Sequence, residues 1–197
     1  MKKVRVTTTI LAMAFMSLTA MSCKDGKTDD AAMPMSNEMY VESTTENADE
    51  MAMNTNQSSN AKQVIADYMI LKEALIATDK DAAAKAGNQM VITLKGFEYG
   101  TYTAEEQKEL KDIITDAVEH AEHIGKSEMD HQREHFKTLS KDMLDMVAIT
   151  GADGKMYKMS CPMYDGGSAW LSMEKEVKNP YYGSKMMSCG KMEKEIN

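Results

Sequence analysis

Hydrophobic residues between positions 61 and about 150 recur every three or four places, the spacing that lays one apolar stripe along a helix. Val64, Ile65, Tyr68, Leu71, Leu75 and Ile76 predict a first helix, with Asn60 as its cap. Asp79 predicts the start of a second, which turns Ala83, Ala86, Met90, Val91 and Leu94 inward and closes near Gly96. Thr103-Ala-Glu-Glu106 is a capping-box pattern, and it opens a third helix with Leu110, Ile113, Ile114, Ala117, Ala121 and Ile124 on one face. Gly125 ends it. Ser127 predicts the cap of a fourth helix running to about Ile149, with Phe136, Leu139, Met143 and Val147 as its stripe. Met90, Met143 and Met146 read as core filler.

Short connections between helices of similar length favour antiparallel neighbours, so the predicted class is all-α, an up-down four-helix bundle. After Gly151 the helical period fades, and Gly, Pro, Tyr and Ser rise. Short extended pieces are predicted near Met156–Ser160 and Ala169–Ser172. Residues 151–197 are thus expected to form an irregular C-terminal cap, with Trp170 as the plug that seats it on the helices. Residues 61–197 together are one helical domain, long enough for a real core.

The preceding residues change where this domain is expected to work. Lys2, Lys3 and Arg5 followed by the apolar run Ile10–Leu18 form a signal peptide over residues 1–22, too short to span a membrane. Leu18-Thr19-Ala20-Met21-Ser22-Cys23 is similar to a bacterial lipobox, which makes Cys23 the candidate lipidation site. An ordinary signal peptide, leaving Cys23 as an odd thiol, is the plainer alternative. Residues 23–60 are poor in aromatics and rich in Asp, Glu, Ser, Thr and Asn, a disordered acidic tether. The tether also carries Met33, Met35, Met39, Met51 and Met53, thioethers that suit Cu(I) or Ag(I) as well as they suit compositional drift. The expected place is the cell envelope, lipid-anchored on the periplasmic side or the outer surface of the outer membrane.

Charge narrows the partners. The chain carries −8, and losing three basic residues and no acids with the first 22 takes it to about −11. An acidic surface argues against nucleic acid and against docking on anionic lipid, and it mildly favours cations.

The candidate chemistry lies in two places. Tyr157–Gly190 holds two of the three cysteines, the single tryptophan and five methionines. Cys161-Pro-Met163 at one end faces Met186-Met187-Ser-Cys189-Gly at the other. Thiolates and thioethers together select Cu(I) or Ag(I). In an oxidising compartment the same two cysteines are also a natural disulfide, Cys161–Cys189. Both readings stand at this point. The second place is the group of four histidines. His120 and His123 lie three apart near the end of the third helix, His131 and His135 four apart near the start of the fourth. The turn at Gly125-Lys126-Ser127 folds one pair toward the other, which allows a site for Cu(II) or Zn at one end of the helices. Measured on the stripes, His120 and His135 fall at the buried edge, while His123 and His131 point outward. Partly stacked helix-end histidines in water are the simpler alternative. Glu119, Glu122, Asp130 and Glu134 are candidate acceptors orienting the rings, or simply a solvated face. Gln132-Arg133-Glu134 reads as a surface hydrogen-bonding set, and Asn179-Pro-Tyr-Tyr-Gly183 as a fixed turn.

Tyr68-Met-Ile-Leu-Lys-Glu-Ala-Leu75, His131-Gln-Arg-Glu-His-Phe-Lys-Thr-Leu-Ser140 and Cys161-Pro-Met163 recur in a recognisable order with Ala169-Trp-Leu-Ser172, Asn179-Pro-Tyr-Tyr-Gly183 and Met186-Met-Ser-Cys-Gly190. Over about Val64 to Glu195 the chain resembles a domain-of-unknown-function family. That family occurs alone or fused to the C-terminus of periplasmic adaptor subunits of copper/silver (Cus-type) efflux pumps. The resemblance implies an α-helical domain in copper or heavy-metal handling, with metal-efflux pump components as partners. Two departures accompany it: no adaptor barrel or hairpin precedes the domain, and the segment between Met163 and Trp170 is slightly short.

No nucleophile elbow, phosphate-cradling glycine loop, His-Glu-x-x-His helix or Cys-x-x-Cys pair occurs. The expectation is therefore a non-enzymatic lipoprotein that binds or transfers copper, silver or another heavy metal in support of efflux or tolerance. The alternative is a disulfide-stapled interaction module with no metal of its own.

Overall fold

The computed structural model describes residues 59–197. The signal peptide, Cys23 and the tether methionines lie outside them. Four helices come first: α1 (Ser59–Ala77), α2 (Lys80–Lys95), α3 (Ala104–Ile124) and α4 (Met129–Thr150). Three strands follow, β1 (Met156–Cys161), β2 (Ser168–Ser172) and β3 (Lys191–Ile196). Among the described residues no helix is long and apolar enough to cross a membrane.

The helix starts follow local chemistry. Asp79 accepts the backbone N–H of Ala82 at 2.9 Å, and Thr103 and Glu106 complete the capping box at α3. Two expectations shift. Asn60 lies inside α1, its side chain donating to the Gly96 carbonyl at 3.0 Å. The cap of α4 is Glu128, whose side chain pairs with Lys80 and makes no capping bond, rather than Ser127.

Each helix packs on its successor, α1 on α2, α2 on α3 and α3 on α4, while α1 meets α4 only narrowly. The predicted stripes are the core: Val64, Tyr68, Leu71, Leu75, Met90, Leu110, Ile124, Phe136, Leu139 and Met143 are all sealed from solvent. Val91 and Ile113 sit at its margin. Tyr68 stacks on Phe136 with centroids 5.2 Å apart, shares a 2.8 Å hydrogen bond with Ser140, and takes the backbone N–H of Leu171. One phenol thereby ties α1, α4 and β2 together.

The all-α class holds only as far as Gly151. The cap is an ordered antiparallel sheet in the order β2-β1-β3, where irregular chain with short extended pieces was expected. Tyr157 pairs with Ser172 and Cys161 with Ser168 on one side of β1; Met156 pairs with Ile196 and Ser160 with Lys191 on the other. The two predicted pieces are β1 and β2. The sequence does not mark β3, because Lys-Met-Glu-Lys-Glu-Ile has no fully buried position to give it an apolar alternation; it forms by pairing with β1.

Trp170 is buried as expected, and Tyr181 seals beside it, edge-on at 5.8 Å, with its hydroxyl donating to the Ala169 carbonyl. Each such ring removes enough apolar surface to stabilise by roughly 2–3 kcal/mol. Gln132 and Arg133 correct the surface reading, since both are buried. Arg133 donates to the carbonyls of Pro180 and Leu75 and to Thr78 Oγ1, at 3.1–3.2 Å, locking the cap to α1 through α4. They stand three and four residues before Phe136, so the stripe itself places them inward. Gly183 makes the approach possible: at φ +54° a Cβ would stand 2.9 Å from the Arg133 guanidinium and against Thr78 Oγ1.

Candidate metal centre

The α3–α4 turn is tight. Gly125 N–H returns to the Ala121 carbonyl, and buried Gln132 donates from Nε2 to the carbonyls of Ile124 and Lys80. These bonds satisfy the end of α3 and bring the start of α4 alongside it. All four histidines meet here. His120, His123 and His135 are half-buried and His131 is exposed, so His123 lies further in than the stripes suggested.

The rings form a chain. His120 Nδ1 lies 2.9 Å from His135 Nδ1, His135 Nε2 lies 3.0 Å from His131 Nε2, and His131 Nδ1 lies 2.9 Å from Glu134 Oε2. Glu134 is thus the one of the four acidic candidates joined to a ring. His123 stacks on His135 at 4.3 Å with the planes 10° apart. One nitrogen from each of His123, His131 and His135 lies within 4.8 Å of the others, a set able to hold a metal ion.

Chemistry tests the fit. Two imidazole nitrogens bound to one ion at about 2.0–2.1 Å stand roughly 2.9–3.4 Å apart, depending on geometry. The His131–His135 separation of 3.0 Å falls within that range. Imidazole lone pairs lie in the ring plane, so His123 must rotate out of its stack to complete three ligands. Burial, followed by the neighbouring His123, His131 and His120, pushes His135 down to about 4, and burial also lowers His120. Both rings therefore stay neutral near pH 7, as metal ligation requires.

The sulfur candidates differ in exposure. Cys161 at the end of β1 and Cys189 are free thiols with Sγ atoms 2.9 Å apart. That is shorter than the roughly 3.8 Å between two thiolates on one tetrahedral zinc and longer than the 2.05 Å of a bond. The contact with Cys161, ahead of burial, raises the Cys189 pKa and disfavours its thiolate. Met163 and Met186 are 63% and 41% exposed, and Met187 is half-buried with its carbonyl taken by Asn179 N–H. The thiols are brought together, and two of the three thioethers face solvent.

A separate groove of about 730 Å³ runs between α4 and the sheet, lined among others by Lys137, Lys141, Lys158, Lys191 and Cys161. Lys137 pairs with Asp165, Lys141 with Asp145 and Lys158 with Glu193, so most of its positive charge is answered locally. It contains none of the histidines.

The described residues form a helical domain with a histidine cluster at the α3–α4 turn and a small sheet packed on α4. Residues 64–155 match the family model described as Protein of unknown function (DUF3347). The matched span takes in all four helices except the first residues of α1, and all four histidines, and it stops one residue before β1. No curated protein and no solved structure matches the chain.

Proposed function

We propose that the protein is a non-enzymatic metal-binding protein whose centre is His123, His131 and His135, taking a borderline divalent cation such as Cu(II) or Zn(II). The observation that carries this reading is the convergence of three imidazoles from two helices, with one nitrogen of each within 4.8 Å of the others. Neutral imidazole is the ligand such ions prefer. Three ligands leave a coordination position open toward solvent at exposed His131, which suits cargo that is handed on better than a sealed structural ion. An up-down bundle of the four helices, lipid anchoring through Cys23 in the envelope, and service to metal efflux belong to the same proposal. Cu(I) or Ag(I) on Cys161, Met163, Met186, Met187 and Cys189 has less support, because Met163 and Met186 are exposed and the Cys189 thiolate is disfavoured.

Calorimetric titration of the chain with Cu(II) and Zn(II) in a non-coordinating buffer tests the centre. One ion per chain is expected, with binding weakened at least tenfold by His135→Ala and abolished in the His131→Ala/His135→Ala pair. Unchanged stoichiometry and affinity in that double variant overturn the assignment.

A second reading rests on the 2.9 Å sulfur separation: an interaction module in which Cys161 and Cys189 staple β1 to the chain entering β3. The two readings concern opposite ends of the sequence's chemistry and can both hold.

A further inference from the structure

We propose that His120 is the positioning residue of the centre: it receives the Nδ1–H of His135 when His135 turns Nε2 toward an ion. The inference rests on the histidine assignment above and goes beyond it by fixing where each proton sits before and after binding.

Glu134 decides the ion-free arrangement. Its carboxylate only accepts, so His131 donates from Nδ1, and a neutral His131 then presents a bare lone pair at Nε2. The 3.0 Å contact between the two Nε2 atoms is attractive only if His135 donates there. A neutral His135 is then bare at Nδ1, and the 2.9 Å contact with His120 requires His120 to donate from Nδ1. For neutral rings the chain therefore runs in one sense: His120 to His135 to His131 to Glu134.

An ion reverses half of it. Ligation through the facing pair needs lone pairs on Nε2 of both His131 and His135. His131 already has one, held by Glu134, and does not change. His135 must move its proton from Nε2 to Nδ1, where His120 Nδ1 lies within hydrogen-bond distance at 2.9 Å. His120 can accept there only after its own proton has moved from Nδ1 to Nε2. The rings hold the same number of protons before and after, exchanged through water, so the step balances. A ligating histidine that donates its other N–H to a fixed acceptor is held in one tautomer and orientation, and loss of such an acceptor commonly weakens metal binding 10–100-fold. His120 is outside the three-ligand set and acts through His135.

Long-range proton–nitrogen spectra of the ¹⁵N-histidine-labelled chain, recorded without metal and with one equivalent of Zn(II), read these tautomers directly. Without metal, His120 and His131 are expected as Nδ1–H and His135 as Nε2–H. With Zn(II), His131 should keep its tautomer while His135 becomes Nδ1–H and His120 becomes Nε2–H. His120→Ala should weaken Zn(II) binding at least tenfold. His120→Gln, whose amide oxygen can take the His135 Nδ1–H, should recover most of that loss. Three results overturn the proposal: His135 already Nδ1–H without metal, a His120 nitrogen shifted as a direct ligand, or wild-type affinity in His120→Ala. Zn(II) leaving the His123, His131 and His135 signals untouched sinks the metal assignment itself. The ion-free spectrum still reports on the proton chain in that case, so the two failures are distinguishable.

Discussion

Asp142 offers the sharpest quantitative test of the fold. It sits on α4 at 7% exposure, and its Oδ2 has no hydrogen-bond partner. Burial first, then Asp116 on α3 and Asp145 one turn along, push its carboxyl up to about 6, against a weaker opposing pull from Lys141. The folded state therefore holds this proton more tightly than the unfolded chain, whose carboxyl titrates near 3.8. The stabilising form is the protonated one. Its contribution is complete below about pH 4, fades as pH rises, and is lost above about 6. The full difference is worth about 3 kcal/mol at 1.36 kcal/mol per pKa step. Water reaching the edge of the group screens the surrounding charges, so about 1–1.5 kcal/mol is the expected effect. Asp142→Asn fixes a neutral side chain of the same shape. Urea unfolding at pH 4, 5, 6, 7 and 8 should show the variant gaining on the wild type by about 1–1.5 kcal/mol across pH 4 to 6–7, then holding level. Asp116→Asn should reduce that gain. A stability difference independent of pH would refute the reasoning, because it would mean that Asp142 titrates alike in both states.

Two further predictions concern the joint between the helices and the cap. Arg133→Ala removes the buried donor of the Pro180 carbonyl and one of the two donors of the Leu75 carbonyl, and should cost about 2–4 kcal/mol in chemical unfolding. Under oxidising conditions Cys161 and Cys189 should give no free thiols, since a 0.9 Å approach of sulfurs already 2.9 Å apart closes the bond. Cys189→Ser should then lower stability by about 3–4 kcal/mol, the chain-entropy value for a loop spanning 28 positions, and the loss should vanish against a wild type kept in reductant.

The helices were legible because their signal is local. A stripe such as Val64, Tyr68, Leu71 and Leu75 and a cap such as Thr103 with Glu106 act over three or four residues, the reach of one helical turn. The fourth cap falls one residue later than the sequence suggests, at Glu128, whose side chain makes no capping bond. The charge of Arg133 points to the surface, while its place on the stripe points inward, and it is buried. Its partners Leu75, Thr78 and Pro180 lie 47 to 58 positions away, beyond any local pattern.

By itself the sequence determined four helices, their buried faces, two of three strands, and the crowding of every histidine around one turn. Periodicity and turn chemistry carry that information within a few residues. Only the tertiary structure decided which candidate groups meet. It set the Cys161 and Cys189 sulfurs side by side while leaving Met163 and Met186 in solvent, and it joined His120, His135, His131 and Glu134 nitrogen to nitrogen to oxygen. The physical reason is reach. A lone pair or a thiol acts over about 3 Å, and which side chains come that close depends on how α3 packs on α4 and how the sheet closes over them.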